Sequence, residues 1–130
     1  MEPRMLTAAA VATLCAVGLY VSAFMYRKSQ RASLGQLAEP SVVESPRARA
    51  LAGIPNAAFG LAYYAALAAA IPLLGVPPVR WAAMAVALGA AAFSVYLAYS
   101  LLFVTRMPCP YCWTAHAVNW ALALLLWWPS

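Results

Sequence analysis

Four long apolar runs, separated by polar breaks of unequal length, lay out this chain; they cover about residues 5–26, 54–74, 81–104 and 111–128. None of them contains Asp, Glu, Lys or Arg. A helix needs roughly 20 mostly apolar residues to cross about 30 Å of hydrocarbon, and each run approaches or exceeds that length. Lipid offers no partners to backbone N–H and C=O groups, so each run must satisfy its own, and helices do so. The pattern predicts an all-α membrane protein, with residues 1–130 forming a single four-transmembrane-helix bundle. The first run is too long for the core of a signal peptide and is followed at once by Arg27 and Lys28, so it reads as a retained helix.

The breaks set the topology. A polar loop, residues 27–53, follows the first helix, and within it Pro46 fits the start of a short helical piece at Arg47–Leu51. The later connections, about residues 75–80 and 105–108, are short, so the helices they join are antiparallel neighbours in an up-down-up-down bundle. Alanine and glycine recur through the second and third runs; small residues let membrane helices approach closely.

Composition agrees with the membrane reading. Hydrophobic residues make up 66% of the 130 and charged residues 8%, against about 25% charged in a soluble domain; mean hydropathy is +0.79. The net charge of +5 would raise nucleic acid as a partner in a soluble protein. Here the cations sit at helix ends and in one loop, with no basic, aromatic-interleaved stripe, so they set topology and touch anionic membrane lipid instead.

The candidate chemistry lies where the fourth run begins. Cys109-Pro110-Tyr111-Cys112 is a CxxC pair at the edge of an apolar segment, and two residues in a helical first turn bring such sulfurs within bonding reach. Pro110 suits the first helical position and leaves Cys109 near the N-cap, where free N–H groups favour a thiolate. Cys112, one turn in, is expected to be the drier of the two. Cys109, Cys112, His116 and Asn119 follow at spacings of three, four and three, which places them on one helix face. Polar groups at that depth are costly and often mark a site.

Other readings of these residues stay open. The pair is also compatible with an inert disulfide, His116 with a packed and hydrogen-bonded core residue, and Asn119 with helix–helix packing. Structural zinc wants four ligands, and the chain offers the pair, one histidine and the distant Cys15; no metal site is expected. Cys15, in mid-span, reads as a small hydrophobe. Trp120, Trp127 and Trp128 read as packing and interfacial residues, and Trp113 as a possible pocket wall. At the start of the second run, Asn56 follows Pro55 at nearly the depth of the CxxC, placed either to cap its helix or to donate to a quinone carbonyl.

Two segments together resemble the vitamin K epoxide reductase family. Gly53-Ile54-Pro55-Asn56-Ala57-Ala58-Phe59-Gly60, with Tyr63 and Tyr64, is similar to that family's second-helix motif. Ser94–Ser100 through Cys109–Cys112 and on to His116–Asn119 is similar to its third and fourth helices, so the resemblance covers about residues 41–126. It implies a four-helix bundle around a quinone of the ubiquinone or menaquinone type. In that arrangement Cys109 and Cys112 form the redox pair, Asn56 binds a quinone oxygen and His116 is a second polar contact.

The resemblance has one departure: the family's second cysteine pair, in the loop after the first helix, is missing. Pro40 and about Ala32 stand where those cysteines would be. A thioredoxin-like or other thiol partner protein must then reach Cys109 from outside, or a separate chain must supply the relay.

The expected function is a membrane thiol–disulfide oxidoreductase that couples the CxxC to quinone and supports disulfide formation in partner proteins. The competing readings are a non-catalytic scaffold or subunit derived from that family and a thiol-based metal-handling membrane protein. Location is in tension. Arg27, Lys28, Arg31, Arg47, Arg49 and Arg106 lie on the CxxC face, against Arg4 and Arg80 opposite, and the positive-inside rule puts the richer face in the cytoplasm. The resemblance implies a bacterial inner membrane with the CxxC face in the periplasm, and that orientation is kept.

Overall fold

A computed structural model describes residues 3–35, 56–105 and 109–127. Four helices carry the chain: α1 (Pro3–Ser33), α2 (Asn56–Ala70), α3 (Pro77–Ser100) and α4 (Pro110–Trp127). The described residues contain no strand. The short helical piece expected at residues 47–51, Pro55, Arg106, Trp128 and Pro40, one of the two positions of the missing cysteines, lie outside them; the other, about Ala32, falls in the last turn of α1.

The helix boundaries differ from the apolar runs for local reasons. Apolarity in the first run ends at Tyr26, but α1 continues to Ser33, because Arg, Lys, Ser and Gln propagate a helix well enough in water. It closes on Gly35, whose positive φ of 69° suits a residue without a Cβ. α2 gives way to one tight turn at Ile71–Leu73, where Pro72 has no N–H to continue the α ladder. α3 starts at Pro77, not at Trp81, because two prolines fit the unbonded first turn. Beyond Ser100 it widens into a π turn over Leu101–Thr105.

Among the described residues three segments are long and apolar enough to cross a membrane: Met5–Ala32, Asn56–Leu73 and Pro77–Val104. α4 does not qualify on those grounds, since its first ten residues include Tyr111, Thr114, His116 and Asn119. The molecule is thus an integral membrane protein, helical throughout its described elements, and three of the four expected spans meet that length and apolarity.

α1 packs on α2 and α4, and α3 packs on α4, while α2 and α3 scarcely meet. One core draws on every helix: Val11 and Cys15, Tyr64 and Leu67, Ala87, and Val118, Leu122 and Leu126. Cys15 is a buried free thiol there, as its apolar setting led one to expect. The α1–α2 seam closes on glycines. A Cβ on Gly18 would stand 2.7 Å from the Tyr64 ring, and one on Gly60 would stand 2.6 Å from Ser22 Oγ. Two tryptophans fasten α4 to α3: Trp120 Nε1 donates to the Ala91 carbonyl at 3.2 Å and Trp127 Nε1 to that of Met84 at 3.1 Å.

Candidate redox site

The fold brings the first turn of α4 to one end of the bundle. Phe24 of α1 stacks on Tyr111, the third residue of the CxxC, with ring centroids 4.1 Å apart. Deeper in, Val11 and Cys15 share a core with Val118 and Leu122, so α1 and α4 run antiparallel. Gly18 meets Tyr64 and Ser22 meets Gly60, so α2 is antiparallel to α1 as well. Asn56, one turn before Gly60, therefore lies at the CxxC end.

Cys109 and Cys112 are joined by a disulfide with Cα atoms 5.2 Å apart. Cys109 is the N-cap of α4. Its carbonyl accepts the first helical bond from Trp113 N at 3.1 Å, and its sulfur accepts the Cys112 N–H at 3.2 Å. That places a donor against Sγ of Cys109, which carries charge whenever Cys109 is the leaving thiolate.

The covering of the two sulfurs differs from expectation. Cys109 is 5% exposed while Cys112 is only half-buried; the residue at the helix mouth is the drier one.

One turn below Cys112, His116 is buried at 5% exposure. Its ring lies between Trp113, edge-on at 5.8 Å, and Trp120 at 6.1 Å. Among the described residues Nδ1 of His116 has no hydrogen-bond partner, and neither does the buried Tyr63 hydroxyl. A buried polar atom left unpaired by the protein is uncommon and calls for a partner from outside it.

Asn119 is placed differently. Its Oδ1 accepts from Tyr64 OH at 2.5 Å and its Nδ2 donates to Ser94 Oγ at 2.6 Å. The amide thereby links α2, α4 and α3 in one chain of hydrogen bonds across the bundle, with the Ala115 carbonyl as a second acceptor for Tyr64 at 3.5 Å. This is the helix–helix packing role that was left open for it. Tyr64 and Ser94 are polar side chains inside apolar runs, a placement that by itself demands a partner. The structure thus unites Cys109, Cys112, His116 and Asn119 on α4, whereas Asn56 shares their end of the bundle through register alone. Among the described residues no three metal-ligating side chains converge.

Comparison with known proteins bears on the whole chain. A sequence model described as the vitamin K epoxide reductase family matches residues 5–127. The chain belongs to that family. No curated protein matches it. Membership, together with the apolar helices, makes this member of the vitamin K epoxide reductase family an integral membrane protein of a generally redox-active kind, in which quinone use is the rule. The resemblance seen over residues 41–126 thus extends to the first helix.

Proposed function

We propose that the protein is a quinone-dependent thiol–disulfide oxidoreductase, with α4 as a fourth membrane span and Cys109–Cys112 as its redox centre. The observation that carries this reading is the unpaired Nδ1 of buried His116, one turn beneath the disulfide. A quinone carbonyl is an acceptor that a protonated Nδ1 satisfies, and the flanking Trp113 and Trp120 offer flat apolar walls for a planar ring. Asn56, at the same end of the bundle, is the second proposed contact. Asn119, already engaged by Tyr64 and Ser94, holds the helices in register and lines the site from its α4 face.

A partner dithiol is oxidised in two exchanges. Its first thiolate attacks Sγ of Cys109, a mixed disulfide forms and Cys112 leaves as a thiolate. The partner's second thiolate breaks the mixed disulfide, so the partner departs oxidised and the CxxC is left as a dithiol. A quinone, when bound, supplies the oxidising equivalents, accepting two electrons and two protons to become quinol. His116 orients it and holds a proton at Nδ1, while Cys109 and Cys112 give up their protons and re-form the disulfide. The direction of flow is set by relative reduction potentials. The proposed site of action is a bacterial inner membrane with the CxxC face in the periplasm and a thioredoxin-like partner.

Reduction of a short-chain quinone by a dithiol, followed with purified protein, tests the reading. Loss of turnover in both Cys109→Ala and Cys112→Ala is expected; unchanged turnover in both refutes it. Offered the partner in its disulfide form, Cys112→Ser should trap a mixed disulfide, because the Cys109 thiolate opens the partner's bond and no Cys112 is left to resolve it. Trapping in Cys109→Ser alone would transfer the exchange to Cys112, the more exposed sulfur.

A further inference from the structure

The last two turns of α1 run on past Phe24, the residue that meets the CxxC, and belong neither to the core nor to the redox chemistry. Helix α1 runs unbroken through Arg27, Lys28 and Arg31 to Ser33. Arg27 and Arg31 are exposed and Lys28 is half-buried. Residues three, four and seven positions apart share a helix face, so all three cations lie on the stripe that begins with Phe24. Phe24 is the residue stacked on Tyr111, inside the CxxC. With a rise of about 1.5 Å per residue, the cations stand roughly 4 to 10 Å further along the axis. Because α1 and α4 are antiparallel, that direction leads out of the bundle at the CxxC end. The described residues contain no carboxylate at all, since Glu2, Glu39 and Glu44 lie outside them.

We infer that this basic face of α1 is a docking post for the reducing substrate, and that it selects a thiol partner with an acidic rim around its reactive sulfur. The inference rests on the thiol-exchange reading above and adds the chemistry of the partner to it. A chain without loop cysteines must accept each partner thiol directly, so orientation has to come from a surface fixed relative to the disulfide. A continuous helix supplies such a surface. Charges held at this distance steer encounter and raise the association rate, and salt screens them. The other occupant for such cations is the anionic headgroup layer of the membrane. The protein partner is favoured because the cationic stripe continues the helix face on which Phe24 contacts Tyr111, inside the CxxC.

Small thiols in neutral detergent test this without a quinone. The rate at which the Cys109–Cys112 disulfide is reduced is measured with mercaptoethanesulfonate, mercaptoethanol and cysteamine, which are anionic, neutral and cationic. Samples are denatured and their thiols counted with a mass-tagged maleimide, buried Cys15 serving as the constant internal count. Relative to wild type, Arg27→Glu/Arg31→Glu should slow the anionic thiol roughly three- to tenfold at low salt. It should speed the cationic one to a similar degree and leave the neutral one unchanged, and all differences should shrink in high salt. Arg27→Gln/Arg31→Gln should give the same ordering at smaller size, which also covers failure of the double reversal to fold.

An anionic-to-cationic rate ratio that neither pair of substitutions alters overturns the docking post. So does a charge effect that appears only in anionic vesicles, because the cations then serve the lipid. If no thiol reduces the bond at all, the thiol-exchange reading fails; if all three do so without charge preference, that reading stands and the docking post alone is lost.

Discussion

Replacing His116 with phenylalanine is expected to stabilise the protein while weakening its hold on quinone. His116 is 5% exposed and its Nδ1 has no partner among the described residues. An unsatisfied buried polar atom costs about 1–3 kcal/mol. The lower end applies here, because a polar side chain in a membrane protein also finds partners in the unfolded reference state. Phenylalanine keeps a planar ring between Trp113 and Trp120 and deletes the orphan atom, so quinone-free His116→Phe should gain about 1 kcal/mol, a rise in Tm of about 3 °C. Bound ligand works in the opposite sense. A quinone at one hundred times its Kd stabilises wild type by about 2.7 kcal/mol. Loss of one hydrogen bond of about 1 kcal/mol weakens binding roughly fivefold, which at the same concentration leaves about 1.8 kcal/mol of stabilisation. Thermal unfolding in detergent, with and without a short-chain quinone, reads both numbers. A variant that melts lower without quinone and shifts as far as wild type with it refutes both the orphan atom and its proposed partner.

Other predictions concern the scaffold. Asn119→Ala breaks its bonds to Tyr64 and Ser94, and Tyr64→Phe breaks one of them; at about 0.6 kcal/mol per interhelical bond in a membrane protein, the costs should be about 1.2 and 0.6 kcal/mol. Reversible unfolding in mixed micelles should show a coupling near 0.6 kcal/mol, and strict additivity would remove the cross-bundle link. Gly18→Ala drives a methyl into a ring carbon 2.7 Å away and should cost about 1–3 kcal/mol. Gly89→Ala meets nothing within 4 Å and should be neutral or stabilising by up to about 1 kcal/mol, so equal melting temperatures for the two variants would contradict the α1–α2 packing.

Hydrocarbon solvent made the helices legible, since 66% apolar composition in long uncharged runs leaves helices as the natural way to satisfy the backbone. The same signal misplaced their ends. Hydropathy reports where lipid stops, whereas α1 stops at Ser33 and α3 starts at Pro77 for reasons of backbone geometry. The π turn at Leu101–Thr105 left no mark in the pattern. At the site, a spacing of three, four and three was enough to gather Cys109, Cys112, His116 and Asn119. What occupies Asn119 was hidden, because its partners lie on other helices, 55 residues before it at Tyr64 and 25 before it at Ser94. The fit of Gly18 under Tyr64 was hidden for the same reason; a glycine in an alanine-rich run does not announce which ring it accommodates. The relative burial of Cys109 and Cys112 runs against the helix-depth argument, since position along one helix says nothing of what other elements pack against it.

The disulfide ties the first turn of α4 to itself. Only two residues separate its cysteines, so the bond removes little chain entropy from the unfolded state, and it spans no seam between helices. Opening it slackens no tether in the bundle. Such a centre has no mechanical means of broadcasting its oxidation state to distant surfaces. In the proposed reaction a partner distinguishes the reduced form from the oxidised one at the sulfurs themselves, and the cycle runs on a frame that stays still.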